Sequence, residues 1–534
     1  MQALYDELDG AFNVYTLDHR GTGRSNILDC VAAQAETSGS PMGLDVSAAE
    51  TASCAADLAR RYGDDLSSFS VTSAAKDVQL FISTQLAGSS TFIYGLSYGT
   101  AWAERLMHLQ VPEIKGYILD GICTTAGADV SKFEFWSLWD YNYNEAGARF
   151  LALCDEHKTE CGKYFAGSTA QSTLKELLRK LDDPTFPCTQ LLAELIDDGL
   201  LPFYALTKPS HVFRAMLGQL LDSIDQRSLI PVLTFRLHRC SKDDMKVFRH
   251  FAEMWSESAE DDGDVSMRSD LLYKLIAYSE YWETPTPSFD EMEARFLNAT
   301  ITTGIHMEAA THCAFTKENS TACKEYAQYA SYNASPIVYK RDRYWNRAPP
   351  LPNNVSVLLL SSLLDPQTIH KYAETFFEAL ETENKKLVTF PHSPHGTIYG
   401  TPMMASSSGD EDNNDCGMLV LASYVAQDGD LSKTDTSCVA KVRPISFALS
   451  RATMKKLLAT DAAFDGSFKM SLAVEDNSEN DGGADSRDIF KTLCFVFLGM
   501  WVATIVVLAV VFIKWRRAVS RRKETELARV HESS

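Results

Sequence analysis

The run Thr91-Phe92-Ile93-Tyr94-Gly95-Leu96-Ser97-Tyr98-Gly99-Thr100 constrains this chain more than any other stretch. Its β-branched and aromatic residues predict a strand, and the strand ends on Gly-x-Ser-x-Gly. A helix-forming stretch, Ala101 to Gln110, follows at once. That succession predicts a nucleophile elbow, a tight strand-to-helix turn that lifts a serine hydroxyl above a parallel sheet. Gly95 and Gly99 would let the helix cross close to the strand while Ser97 holds an unfavourable backbone angle. The helix start would aim backbone N–H groups and the positive end of its dipole at the reaction centre.

Such a serine needs an acid and a histidine, and both follow in the order Ser, Asp, His. Residues Asn354 to Leu360 read as a buried strand leading to Leu364-Asp365-Pro366, with a helical pattern from Gln367 to Leu380. Lys386 to Phe390 reads as the next strand and runs into Pro391-His392-Ser393-Pro394-His395-Gly396. Asp365 would sit past a strand's carboxyl end, where functional groups collect in parallel α/β sheets. Each partner has a rival. Asp120 also ends a predicted strand, Lys115 to Leu119. His392 competes with His395, which is favoured because Gly396 permits a tight turn behind it.

These motifs carry a resemblance. Tyr15-Thr16-Leu17-Asp18-His19-Arg20-Gly21-Thr22-Gly23-Arg24-Ser25 resembles the Asp-x-Arg-Gly-x-Gly-x-Ser signature of prolyl and tripeptidyl aminopeptidase-like serine peptidases. The stretches Tyr94 to Thr100 and Tyr117 to Gly121 are similar to that family too. So are Asp415 to Tyr424, Asp428 to Leu431 and Cys438, which look like the C-terminal module of the tripeptidyl type. The likeness spans roughly residues 12–440. It implies an α/β-hydrolase fold, a mostly parallel sheet flanked by helices, with a large helical cap inserted. It further implies Ser97 as nucleophile, Asp365 as orienting acid, His395 as general base and the Tyr98 amide as an oxyanion donor. Peptides would be the substrates. In relatives, a cap segment like Leu272 to Trp282 presents a Glu to the substrate's α-amino group, which implies that role for Glu280. This triad chemistry uses no metal, no metal-spaced His cluster appears, and no cofactor is expected.

The chain departs from the family at its start. Only seventeen residues precede Asp18, no Gly-Gly-Pro-Gly loop occurs, and the first ten residues carry acids where an export signal has bases and an apolar core. The family's sheet order puts another strand between Val14–Leu17 and Thr91–Gly95. The expectation is therefore a natural start upstream of Met1.

Residues 493–513 carry no charge. At 1.5 Å per residue they would make about 31 Å of helix, enough for a hydrocarbon core of about 30 Å. Lys514, Arg516, Arg517, Arg521, Arg522 and Lys523 follow, which predicts a single-pass membrane protein with a cytosolic tail and an extracellular or lumenal catalytic part. Sequons at Asn298, Asn319, Asn333 and Asn354 lie on the outer side. Short spacings suggest disulfides Cys154–Cys161, Cys313–Cys323 and Cys416–Cys438, with Cys30–Cys54 a fourth candidate and Cys123 a candidate free thiol. A net charge of −21 excludes a nucleic-acid partner.

Residues 1–123 are thus expected to form the first part of the core, 124–352 the cap, and 353–465 the second part with its C-terminal module. An acidic linker (466–490), the span and a basic tail (514–534) would follow. The cap opens on Lys132 to Tyr141, whose aromatics would line a cleft or pack an amphipathic helix on the core. The function expected is a serine exopeptidase acting from free N-termini. A carboxylesterase or lipase using the same triad, and a non-catalytic hydrolase-like ectodomain, are the alternatives.

Overall fold

In the computed structural model, residues 2–34, 44–201, 206–259, 267–404 and 415–473 are described. Residues 1–468 form one compact unit. Four strands build its sheet: β1 (Thr91–Leu96), β2 (Ile114–Asp120), β3 (Ser356–Ser362) and β4 (Lys385–Phe390). They pair in sequence order and all in parallel, with Leu96 beside Asp120, Asp120 beside Leu360, and Ser362 beside Phe390. Parallel pairing brings every strand's carboxyl end to one edge, and the loops leaving β1, β3 and β4 carry Ser97, Asp365 and His395.

Two-residue periodicity divides the sheet's side chains between two cores. On one face Tyr117, Leu119, Val357 and Leu359 pack with Ile82 of α1 (Val71–Gln85), Leu106 of α2 (Tyr98–Met107) and Phe376. On the other, Ile118, Leu358, Leu360 and Phe390 pack with Val420, Leu421 and Tyr424. Burying each such Leu or Phe contributes about 1.5–3 kcal/mol, and the two-sided burial explains why β3 reads as an unbroken apolar run.

Between β2 and β3 the regular elements of the described residues are helical. They include α3 (Pro209–Asp222), α4 (Leu229–Arg239), α5 (Lys242–Ala259) and α6 (Asp270–Glu280). After β3 come α7 (His370–Ala379), which supplies Phe376, and α8 (Cys416–Ala426), which covers the second face. Residues past 440 then leave the sheet. Ile445, Phe447, Leu458 and Phe464 join the cap's apolar cluster, and α9 (Arg451–Leu458) packs on α5. Buried Arg236 of α4 ties this return down by donating to the carbonyls of Ala462, Ala463 and Gly466.

Five disulfides form among the described residues. Cys30–Cys54, Cys154–Cys161, Cys313–Cys323 and Cys416–Cys438 are the short-range pairs expected, and Cys188–Cys240 joins residues 52 apart. Cys123 is free. Val14–Leu17 is not a strand: Tyr15 is 53% and Leu17 39% exposed, and β1 has β2 as its one strand neighbour among the described residues. A β-rich sequence has no ladder to join there. No helix of the described residues is long and apolar enough to cross a membrane, and 493–513 lies outside them.

Candidate active site

Ser97 sits at φ 55° and ψ −125° between β1 and α2, the strained turn expected of an elbow. Its amide donates to Asp120 O at 2.9 Å, and its own carbonyl accepts from Thr100 N and Oγ1. Gly95 is where the helix crosses the strand, because a Cβ there would lie 2.3 Å from Gly99 O. The expectation for Gly99 does not hold, since a Cβ at that position would meet nothing within 4 Å. The Tyr98 amide belongs to the first residue of α2, among the N–H groups that a helix start leaves without intrahelical partners.

Asp365 is 2% exposed and lies beside His395. Its Oδ2 accepts from His395 Nδ1 at 2.9 Å and from Thr368 Oγ1 at 2.7 Å, while Oδ1 accepts the amides of Gln367 and Thr368, each at 2.9 Å. A carboxylate only accepts, so Nδ1 carries a proton, and Nε2 is the free base whenever the ring is neutral. Nε2 is buried and makes no hydrogen bond, to Ser97 or to any other group. The ring lies beside the end of β2. A Cβ on Gly121 (φ +58°), one residue past the Asp120 carbonyl that binds Ser97, would sit 2.9 Å from His395 Cε1. Burial works against protonating this ring. Asp365, by attraction and hydrogen bond, then Asp222 and Asp120, outweigh it and push the imidazole up to about 9.

The two rivals have other work. Asp120 is fully buried and accepts the amides of Thr397 at 2.9 Å and Ile398 at 3.2 Å, and the Tyr94 hydroxyl at 3.1 Å. It anchors the loop just past His395, at Thr397 and Ile398, and makes no hydrogen bond to the imidazole. His392 lends its carbonyl to Arg227 Nη1 at 2.6 Å, and burial pushes its ring below the usual range.

A cavity of about 330 Å³ opens at Ser97, walled by Tyr98, Phe135, Trp136, Trp139, Tyr273 and Thr368 among others. The aromatic opening of the cap thus lines the cleft. A second hollow of about 400 Å³ shares Trp136, Trp139, Tyr273 and Gln367 with the first and is edged by Asp222.

Glu280 does not reach this cavity. Its carboxylate is 1% exposed, pairs with Arg105 Nη2 at 2.8 Å and accepts the Tyr339 hydroxyl at 3.0 Å. Both of its oxygens are already engaged inside the protein. The acidic side chain that does line the cavity is Glu134, which the sequence reading passed over. It is 7% exposed, and its Oε2 is buried without a hydrogen-bond partner. Burial, with the Asp365 charge adding to it, holds its carboxyl well above the usual range. His19 also lines the wall; its Nδ1 donates to Arg20 O at 2.7 Å, and its Nε2 accepts the Tyr98 hydroxyl at 3.0 Å. Among the described residues, one cluster has metal-ligand types, His312, Cys313 and Cys323. The two cysteines are joined to each other and His312 stacks on Trp282, so no open donor set remains.

No family model matches the chain, and no curated protein matches it. Solved structures that match include an esterase (EaEST) from Exiguobacterium antarcticum. It is 10% identical, with 74% of this chain and 81% of that chain covered, at a TM-score of 0.25. A second belongs to the novel epoxide hydrolases of the alpha/beta hydrolases superfamily from metagenomes of hot environments. It is 11% identical, with 62% and 70% covered, at a TM-score of 0.19. Superpositions this loose carry no weight for chemistry. The parallel sheet, the elbow and the order of the three loops define the α/β-hydrolase arrangement here.

Proposed function

We propose that this chain is a serine hydrolase of the aminopeptidase type, cutting peptides from a free N-terminus through an acyl-enzyme. What supports the hydrolase reading is a strained Ser97 at the end of β1, together with an imidazole in the loop after β4 whose Nδ1 is held by Asp365 and whose Nε2 is buried and unpartnered. In the reaction, Ser97 Oγ attacks the carbonyl as His395 Nε2 takes its proton. The imidazolium then gives that proton to the leaving amine, and water resolves the acyl-enzyme by the reverse sequence. The Tyr98 amide would stabilise the oxyanion, such a donor contributing about 10²–10³ in rate. Labelling the full chain with a fluorophosphonate and mapping the adduct tests this reading; an adduct elsewhere, or none, defeats it.

Glu134 supports the peptidase over the esterase. A buried carboxyl without a partner gains most from a cation, and an α-ammonium entering the cavity would ionise it and pair with it. Replacing Glu134 with Gln should lower kcat/KM for free N-terminal peptide amides by about 10–100-fold, the scale of a lost charge-assisted bond. Turnover of simple acyl esters should change little. Equal losses on N-terminally blocked and free peptides would mean that Glu134 reads no ammonium.

The proposal extends to location, with the hydrolase outside the cytosol and residues 493–513 anchoring it in lipid. Five disulfides support an oxidising compartment. So do the exposed side chains of all four sequon asparagines, Asn298, Asn319, Asn333 and Asn354. Peptide N-glycosidase should increase the mobility of the chain made in secretory cells; unchanged mobility would count against export.

A further inference from the structure

A carboxylate of the cap reaches the loop that carries the acid. Asp222, the last residue of α3, accepts Gln367 Nε2 at 2.6 Å, and the main-chain amide of the same Gln367 donates to Asp365 Oδ1 at 2.9 Å. The main-chain amide of His395 also faces Asp222. Five residues further on, Arg227 Nη1 donates to the carbonyl of His392 at 2.6 Å, so the turn after α3 holds the His395 loop at two points. Asp222 Oδ1 is buried and has no hydrogen-bond partner. That oxygen has no donor of its own, and a positive charge on the His395 ring favours the ionised carboxylate.

We propose that Asp222 is a positioning residue through which the cap holds the His395 loop, and that its charge governs how readily the imidazole releases its proton. The inference rests on the Ser97–His395–Asp365 reading and is independent of the peptidase assignment. Three carboxylates act on the ring, each from a different element: Asp365 from the loop after β3, Asp120 from the end of β2, and Asp222 from the cap. Asp222 in turn faces His395, Asp365, Gln367 and the Tyr143 hydroxyl. Burial raises the Asp222 carboxyl, the charge on His395 lowers it, and that on Asp365 raises it again. The coupling is reciprocal. Once His395 has taken the Ser97 proton, the ionised form of Asp222 is favoured, and an ionised Asp222 delays return of that proton. The cap therefore contributes to the base as well as to the cleft wall.

The sign of the effect follows. His395 must be neutral to act, so a carboxylate that stabilises the imidazolium of the free enzyme moves the rising limb of the pH profile upward. The experiment is the second-order rate of inactivation of the full chain by an alkyl fluorophosphonate between pH 5 and 11. The native chain should show a limb near 9. Asp222→Asn keeps an acceptor for Gln367 and removes the charge; it should move the limb down by about one unit, so that labelling at pH 7 rises by up to about tenfold. Asp222→Glu should restore the native limb. Should Asp222→Asn fail to fold, Gln367→Met, which frees the link and keeps both carboxylates, should move the limb the same way by less. A purely structural Asp222 would lower labelling by one factor at every pH and leave the limb unmoved, which overturns the proposal. A native chain that takes no label at any pH overturns the triad reading and this inference together.

Discussion

Ser97→Ala is expected to lower peptide and ester hydrolysis by about 10⁶-fold and to abolish fluorophosphonate labelling, and His395→Ala to do nearly as much. In the proposed mechanism the two residues act as one device. The serine hydroxyl is a weak nucleophile until Nε2 takes its proton, and Nε2 has no hydrogen-bond partner to compete for it. The double variant should therefore be no worse than Ser97→Ala alone, and about 10³–10⁴ over water should survive where binding and the Tyr98 amide remain intact. Asp365 acts one step back, holding the tautomer through a 2.9 Å bond to Nδ1. Asp365→Asn, which turns a donor toward that nitrogen, should cost about 10⁴-fold in kcat with little change in KM. Undiminished hydrolysis by purified Ser97→Ala would show that the chemistry lies elsewhere on the chain.

The elbow was legible because its signals are local: a strand, a Gly-x-Ser-x-Gly turn and a helix lie within twenty residues. Asp365 was legible through its place after a buried strand. What separates it from Asp120 is tertiary, since both end strands of one parallel sheet. One carboxylate meets the imidazole, and the other meets the amides of Thr397 and Ile398. Val14–Leu17 shows the converse case, a strand-like composition whose fate depends on whether a neighbouring strand exists. Cys188–Cys240 closes 52 residues across the cap and leaves no spacing signal, while the shorter bridges do. The return of residues past 440 onto the cap was also invisible, because the groups that hold it, Arg236 and Arg239 on α4 among them, lie more than two hundred residues away.

Glu134 and Glu280 are the sharpest instance. Each is a glutamate embedded in aromatics, Phe133-Glu134-Phe135-Trp136 and Tyr278-Ser279-Glu280-Tyr281-Trp282, and nothing local tells them apart. The difference is that Arg105 waits for one of them. That arginine lies on the elbow helix α2, is 3% exposed, and also donates to Thr72 Oγ1 at 3.0 Å. Burial works against its charge, and Glu280 with Glu104 more than restores it. The pair therefore pins the end of α6 in the cap to the helix directly behind Ser97.

Removing one half of that pair is the most costly stability change expected. Glu280→Ala would take from a buried guanidinium its closest carboxylate, leaving Asp342 at 3.5 Å and Glu104 at 3.9 Å, and from the Tyr339 hydroxyl its acceptor. The expected loss is about 3–5 kcal/mol, read as a lower denaturant midpoint. Taking both charges out should recover most of it. In Arg105→Met with Glu280→Leu, neither ion has to be desolvated, and such replacements are often neutral or stabilising by about 1–4 kcal/mol. A substrate-binding Glu280 predicts a different pattern: Glu280→Gln would leave the midpoint in place and raise KM for free N-termini. The geometry predicts the opposite, a lower midpoint with KM unchanged in the folded fraction, because the carboxylate is already held by Arg105 and Tyr339 before any substrate arrives.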